Sequence, residues 1–322
     1  MFPPLMGNFD FTKVLNTLAG ELMSVVIPVC ITMILSSILT LSVLVRPGNT
    51  VDLSAYYKIS STESSSEVDW KSIVYVVLGF VALILIITKL IVWLYKKGYT
   101  KIIYGWLTLS LLSIFGTFSA YVVSLLFSRF DGPAISISWL IIICGICGLP
   151  FLFTILYVRD IESKPLLLKI QQVGLVLVSV LAAFGFSFFP NSITYLLLFA
   201  MAVYDMYAVL TPKGPLKELV ELAEERKEPI PGLIYQSKKM KLGLGDFIFY
   251  SILVNKALII SGGVALLVAI AVLFGLFLTL VVLLSVGHAL PALPFSIFIG
   301  LITLFVGQYI ELGWFKSIFT IG

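Results

Sequence analysis

Two aspartates stand in sequence that otherwise has the character of lipid-buried helix: Asp205 within FAMAVYDMYAVL and Asp246 within LGLGDFIFYSILV. An ionisable group inside a spanning helix costs roughly 2.5 kcal/mol or more on insertion scales, so each needs a functional reason. Being of one sign, the two cannot neutralise each other. Carboxyls that share a site do not both ionise easily, and they hold one proton between them. The ionised member can act as general base on a water, while the protonated member donates to a peptide carbonyl oxygen. Amide hydrolysis on this plan needs neither a metal nor a covalent intermediate. The pair titrates as a unit, so neither aspartate is assigned the acid or the base role.

Other chemistries find less support. Cys144 and Cys147 have C-x-x-C spacing, but Gly148-Leu149-Pro150-Phe151 follows and no further Cys or His completes a metal site; Cys30 is isolated. All three read as helix-packing residues. The single histidine, His288, cannot build a zinc centre of the usual kind. No cofactor and no metal is expected. Gly243-Leu244-Gly245 directly precedes Asp246. It is no nucleotide fingerprint, because no strand precedes it and it opens a membrane helix. Glycine there lets a backbone or a substrate approach closely, or simply marks a turn into the helix. Tyr204 adjoins Asp205 and either hydrogen-bonds in the site or packs at an interface, since adjacent residues do not share a helix face.

These groups must be positioned by membrane helices. Of 322 residues, 60% are hydrophobic and 12% charged, and the mean hydropathy is +1.10. A soluble domain carries about 25% charged residues, so a long water-soluble core is excluded. The N-terminus lacks the basic, short-apolar, small-residue pattern of a signal peptide, and the first apolar run is expected to stay as a span. Segments long enough to cross a bilayer are 23–45, 72–94, 102–128, 137–158, 172–189, 192–211, 243–260, 264–286 and 291–310. The seventh and eighth are parted only by Ser261-Gly262-Gly263, and the ninth starts with Pro291 and Pro294. The chain is expected to be an all-α polytopic membrane protein with nine transmembrane helices. Residues 1–189 would form an N-terminal bundle of spans one to five, with a polar outer loop at 46–71. Residues 190–322 would form a catalytic region of spans six to nine, with a cytosolic loop at 213–241.

Loop charge sets the orientation. With a cytosolic N-terminus, the 21 Lys and Arg residues fall mostly inside; only Arg46, Lys58, Lys71, Arg129, Lys256 and Lys316 fall outside. The positive-inside rule favours this arrangement, which leaves the C-terminus on the luminal side. Within the cytosolic loop, Leu216, Leu219, Val220 and Leu222 line one flank of an interfacial amphipathic helix that Pro229 and Pro231 end. Lys256 and Lys89 read as snorkelling lysines, and Gln308 and Glu311 as solvent-facing. Asp205 lies eight residues before Lys213, about 12 Å along a helix, and Asp246 lies about 7–8 Å beyond Lys241. Both carboxylates therefore occupy the cytosolic third of the bilayer on antiparallel helices.

Tyr204-Asp205, then Pro212-Lys213-Gly214-Pro215-Leu216, then Gly243-Leu244-Gly245-Asp246 and finally Pro291-Ala292-Leu293-Pro294 form an ordered set that resembles the presenilins. The similarity runs over about 190–300, with spans one to four alike mainly in pattern. Presenilins are catalytic subunits of gamma-secretase, an intramembrane aspartyl protease. The resemblance implies hydrolysis within the transmembrane helices of single-pass proteins, with Asp205 and Asp246 catalytic. Gly243, Leu244, Gly245, Pro291, Ala292 and Leu293 would shape the site. Lys239, Met240, Lys241 and Leu242 would pair with a substrate strand. It also implies nicastrin-like, APH-like and PEN-like subunits, a lipid bilayer but no nucleic acid as partner, and residence in endoplasmic reticulum, Golgi, endosomal or plasma membranes. Departures from the family pattern are Met206-Tyr207 after the first aspartate, Asn255 where glycine is frequent, and a short loop between the aspartate helices, which puts self-cleavage in doubt. Signal peptide peptidases share YD and GxGD but have inverted orientation and lack PKGPL. A cation leak or transporter that uses the same acids, and a noncatalytic scaffold, are the competing readings; no repeated half of the kind transporters carry is evident.

Overall fold

The computed structural model describes residues 11–44, 70–129, 137–156, 165–210, 234–236, 241–286 and 293–319. Among these residues the chain forms nine long helices. They are α1 (Phe11–Leu44), α2 (Trp70–Lys96), α3 (Thr100–Arg129), α4 (Ile137–Leu156), α5 (Pro165–Phe186), α6 (Asn191–Leu210), α7 (Leu244–Ile260), α8 (Gly262–Val286) and α9 (Leu293–Phe319). Each contains one of the nine expected spans or nearly all of it. Seven are long and apolar enough to cross a membrane by length and composition alone; α4 has 20 residues, and α7, with 17, is shorter than the others. Of the loop expected at 46–71, Trp70 and Lys71 belong instead to α2 and the rest lies outside the described residues, as does the expected amphipathic helix near 215–227.

Helix boundaries follow local chemistry. Pro165 opens α5, a position where its missing N–H is not needed, so the helix takes in Lys169, Gln171 and Gln172 ahead of the apolar run. Pro294 likewise falls in the first turn of α9. α7 and α8 are separate helices because Ser261 is extended (φ −164°, ψ 155°). Its Oγ accepts the Val264 N–H at 3.3 Å, capping α8. Gln308, expected in solvent, is half-buried on α9.

α7 is the hub of the bundle, in contact with α1, α5, α6, α8 and α9. Phe247, Tyr250, Ile252, Leu253, Val254 and Ala257 on it are all buried. By contrast, Val76, Leu78, Leu83 and Ile86 of α2 are exposed, as suits a helix wall against lipid. Lipid is as apolar as leucine, so helix association here rests on close packing and interhelical hydrogen bonds. Small residues permit the packing: a Cβ on Gly300 of α9 would lie 2.5 Å from Leu253 Cδ2, and one on Gly307 would lie 2.8 Å from Val264 Cγ1.

The hydrogen bonds gather at Asn255, which is fully buried. Its amide Nδ2 donates to Ser36 Oγ on α1 at 2.6 Å and to Ser187 Oγ after α5 at 2.9 Å. Its Oδ1 accepts from Ser37 Oγ at 3.3 Å. Asn255 thus ties three elements together where a glycine could tie none. Asn255→Ala strands these hydroxyls and is expected to cost about 1–3 kcal/mol, read as a lowered thermal midpoint in detergent.

Lys256 requires a correction. It is not a snorkelling side chain at the rim but 1% exposed. Its Nζ donates to the Ser187 carbonyl at 3.0 Å, to the Phe189 carbonyl and to Asn191 Oδ1 at 3.1 Å. The carbonyls left open at the C-terminal end of α5 hold the ammonium inside the protein, where snorkelling would reach only water.

Two short strands complete the described structure. β1 (Ile234–Gln236) and β2 (Lys241–Gly243) pair antiparallel, with Ile234 opposite Gly243, Tyr235 opposite Leu242 and Gln236 opposite Lys241. β2 runs directly into α7, so a short strand does precede Leu244-Gly245-Asp246, contrary to the reading of the sequence.

Candidate active site

Asp246 is the third residue of α7 and only 9% exposed. Gly243, extended at φ −72° and ψ 148°, is both the last residue of β2 and the N-cap of α7. The chain direction turns there, and the Gly243 N–H donates to Asp246 Oδ2 at 3.3 Å. A carboxylate three residues into a helix reaches back to the N-cap amide in just this way. The strand-to-helix turn therefore fixes the Asp246 side chain.

Asp205 lies half-buried on α6, one turn and a half from its end at Leu210. Its carboxylate accepts a hydrogen bond from the backbone N–H of Leu293, the first residue of α9. Amides in the first turn of a helix have no partner within the helix, so both carboxylates face donors of the kind that hold an anionic oxygen. The two carboxyls are near enough to interact electrostatically. α6 and α7 touch, and both acids sit toward the same end of the pair.

Tyr250 and Ser296 belong to the same neighbourhood. Tyr250 is one turn beyond Asp246, wholly buried, and hydrogen-bonded through its hydroxyl to Ser296 of α9. Neither residue stands out in the sequence. The available signals were spacing alone: i+4 from Asp246 for the tyrosine and i+3 from Leu293 for the serine.

The glycines behave differently from the expectation of crowding. A Cβ on Gly243 would meet Asp246 Oδ2 at 3.6 Å, and one on Gly245 would meet Phe249 Cε2 at 3.6 Å. Both are ordinary contacts, and neither glycine needs a positive φ. This chain's own described packing does not require glycine at either position.

Tyr204 points away from Asp246. Thr88 Oγ1 gives its proton to the Ile84 carbonyl at 2.7 Å, so at 3.3 Å the Tyr204 hydroxyl is the donor to Thr88 on α2. With Tyr207, Phe199 and Val203 it lines a cavity of about 940 Å³ between α6 and α2, where Val77, Leu85, Lys89 and Trp93 face it. Lys241 and Leu242 are in β2. Lys239, Met240, Pro291 and Ala292 lie outside the described residues, as does His288. Among the described residues no three His, Cys, Asp or Glu side chains converge as metal ligands would.

Known proteins resemble this chain along most of its length. The Presenilin family profile matches residues 16–240 and 236–312. Presenilin-B of Dictyostelium discoideum is 36% identical over 317 residues, covering 92% of this chain and 63% of that protein. A presenilin-like protein of Arabidopsis thaliana is 27% identical over 379 residues and is covered to 94%. The chain therefore spans somewhat under two thirds of the first relative and nearly all of the second. A solved structure described as a presenilin family intramembrane aspartate protease aligns with TM-score 0.54 at 18% identity, covering 88% of this chain and 99% of its own. That likeness shows a shared fold, and the profile match extends over nearly the whole sequence: this multi-pass membrane protein is a member of the presenilin family.

Proposed function

We propose that the chain is an intramembrane aspartyl endopeptidase that cuts peptide bonds within the transmembrane helices of single-pass proteins. The observation that carries this reading is the pair of carboxyls on two touching helices, each met by a backbone amide at a helix start. One aspartate, ionised, removes a proton from a water; the water oxygen attacks the scissile carbonyl carbon. The other, protonated, gives its proton to the carbonyl oxygen, and a tetrahedral diol forms. Proton return to the amide nitrogen then releases a carboxylic acid and an amine.

A helical peptide bond is shielded by its own turn and must open before water can reach it. β2 supplies a place for the opened segment, since an extended peptide can add to a sheet edge through main-chain hydrogen bonds. On this reading Lys239, Met240, Lys241 and Leu242 form the edge a substrate strand meets. The room left above Gly243 and Gly245 is then for substrate, as their ordinary intrachain clearances suggest. Leu244, Pro291, Ala292 and Leu293 are assigned to the walls. The 190–322 region is the catalytic part, and 1–189 is the bundle that supports it. By analogy with its family, the chain would serve as the catalytic subunit of a gamma-secretase-like complex with nicastrin-like, APH-like and PEN-like subunits. It would act in endoplasmic reticulum and Golgi membranes, on receptors of the Notch type among others.

Reconstitution of the chain alone in lipid with a transmembrane reporter, with products identified by mass, tests the reading. Activity is expected to be bell-shaped in pH. Low pH protonates both acids and removes the base; high pH ionises both and removes the acid. A rate that rises monotonically with pH would contradict a shared-proton dyad. Product formed by the isolated chain would refute an absolute need for other subunits.

A further inference from the structure

We propose that Lys256 is a positioning residue that sets the axial register of α6 on α7, and with it the matching depth of Asp205 and Asp246. The activity readouts below rest on the proteolytic reading; the cross-linking readout does not. α6 is held chiefly by α2 and α9 and meets α7 only sparingly. Direct packing between α6 and α7 is therefore a weak determinant of how far along α7 it sits. The Lys256 ammonium has three hydrogens to donate, and it binds three acceptors in and just after the α5–α6 turn: the Ser187 and Phe189 carbonyls and the Asn191 amide oxygen.

The axial distances agree with this role. Asp246 lies ten residues before Lys256, about 15 Å along α7, and Asp205 lies fourteen residues after Asn191, about 21 Å along α6. The difference of about 6 Å is an axial offset within the combined reach of the lysine stem and its hydrogen bonds, so this tether is compatible with carboxylates at like depth. The tether is also stiff. The side chain is 1% exposed, and Asn255 next to it binds Ser187 Oγ, so two adjacent residues of α7 grip one turn. Releasing a buried ammonium from any acceptor leaves a desolvated charge, which gives the register a steep energy well.

Two measurements test this. The first uses a chain without Cys30, Cys144 and Cys147 that carries Asp205→Cys and Asp246→Cys. This pair is expected to form a disulfide readily under a mild oxidant, and Lys256→Met is expected to slow the reaction at least fivefold, with Lys256→Arg restoring most of it. The second follows reporter cleavage. Lys256→Met is expected to lower kcat at least tenfold with KM unchanged, since the groups that bind substrate stay in place while the reacting groups separate. Asn191→Ala, which removes one of the three acceptors, is expected to lower kcat less and to add nothing to Lys256→Met.

An unchanged disulfide rate in folded Lys256→Met protein would overturn the proposal, whatever the fate of the proteolytic reading. Should Lys256→Met fail to fold, Asn191→Ala decides by the same cross-link: a wild-type rate overturns the proposal and a slowed one supports it.

Discussion

Replacing Asp246 with alanine is expected, on the proposed protease reading, to stop reporter cleavage, with a fall of at least about a thousandfold, because the proposed dyad then lacks either its base or its acid. Asp205→Ala is expected to do the same. Asp246→Asn makes the sharper test. It keeps the shape of the side chain and still offers an oxygen to the Gly243 N–H that Asp246 Oδ2 now accepts. What is lost is the ionisable carboxyl, as acid or as base, so an equal fall in Asp246→Asn assigns the effect to chemistry rather than to the turn. The thermal midpoint should not fall with activity. Asp246 is 9% exposed among apolar neighbours, and a carboxyl kept there costs stability that its replacement recovers. Cleavage at the wild-type rate in purified Asp246→Ala protein would end the protease assignment.

Gly275→Ala is expected to be strongly damaging, because among the described glycines its Cβ is the one that runs into backbone atoms below 3.0 Å. Its Cβ would lie 2.5 Å from Ser296 Cα, 2.8 Å from Ser296 N and 3.0 Å from the Phe295 carbonyl carbon. These are backbone atoms and cannot turn aside, so the first turn of α9 must move away from α8. That turn carries the Leu293 N–H that meets Asp205 and the Ser296 that binds Tyr250. Overpacking of this kind costs about 1–3 kcal/mol, and a displacement near 1 Å at reacting groups can cost on the order of 100-fold in rate. Both a lower thermal midpoint and a kcat reduced at least tenfold are expected. Gly79→Ala and Gly105→Ala are the controls, because a Cβ at either meets nothing within 4 Å. If Gly275→Ala matches those controls in stability and rate, α9 does not position the site.

The two acids were legible in the sequence because their cost is local. A carboxylate in an apolar run stands out whatever surrounds it in space, and loop charge then gave an expected depth for each. The nine helices were legible for a related reason: a spanning segment must satisfy its own backbone and so carries its signal within about 20 residues. Helix starts were less legible. α5 begins at Pro165, seven residues ahead of its apolar run, because a buried bundle can carry polar residues such as Gln171 inside a helix.

Lys256 marks the boundary between the two kinds of information. In sequence it is a lone lysine near the outer end of an apolar helix, for which snorkelling is the natural reading. Its acceptors lie 65 to 69 positions away, in a turn that folding brings beside it. Tyr204 shows the same limit, since adjacency to Asp205 said nothing of the Thr88 hydroxyl 116 positions away. By itself, then, the sequence determined a polytopic chain with two acids in apolar helices, expected at like depth, and no other obvious reacting groups. Tertiary structure alone decided that Leu293 meets Asp205, that Tyr250 and Ser296 join the site, and that Lys256 grips the turn before α6. The physical reason is that helix formation and membrane burial depend on neighbouring residues, whereas hydrogen bonds between helices depend on register, which only the packed bundle sets.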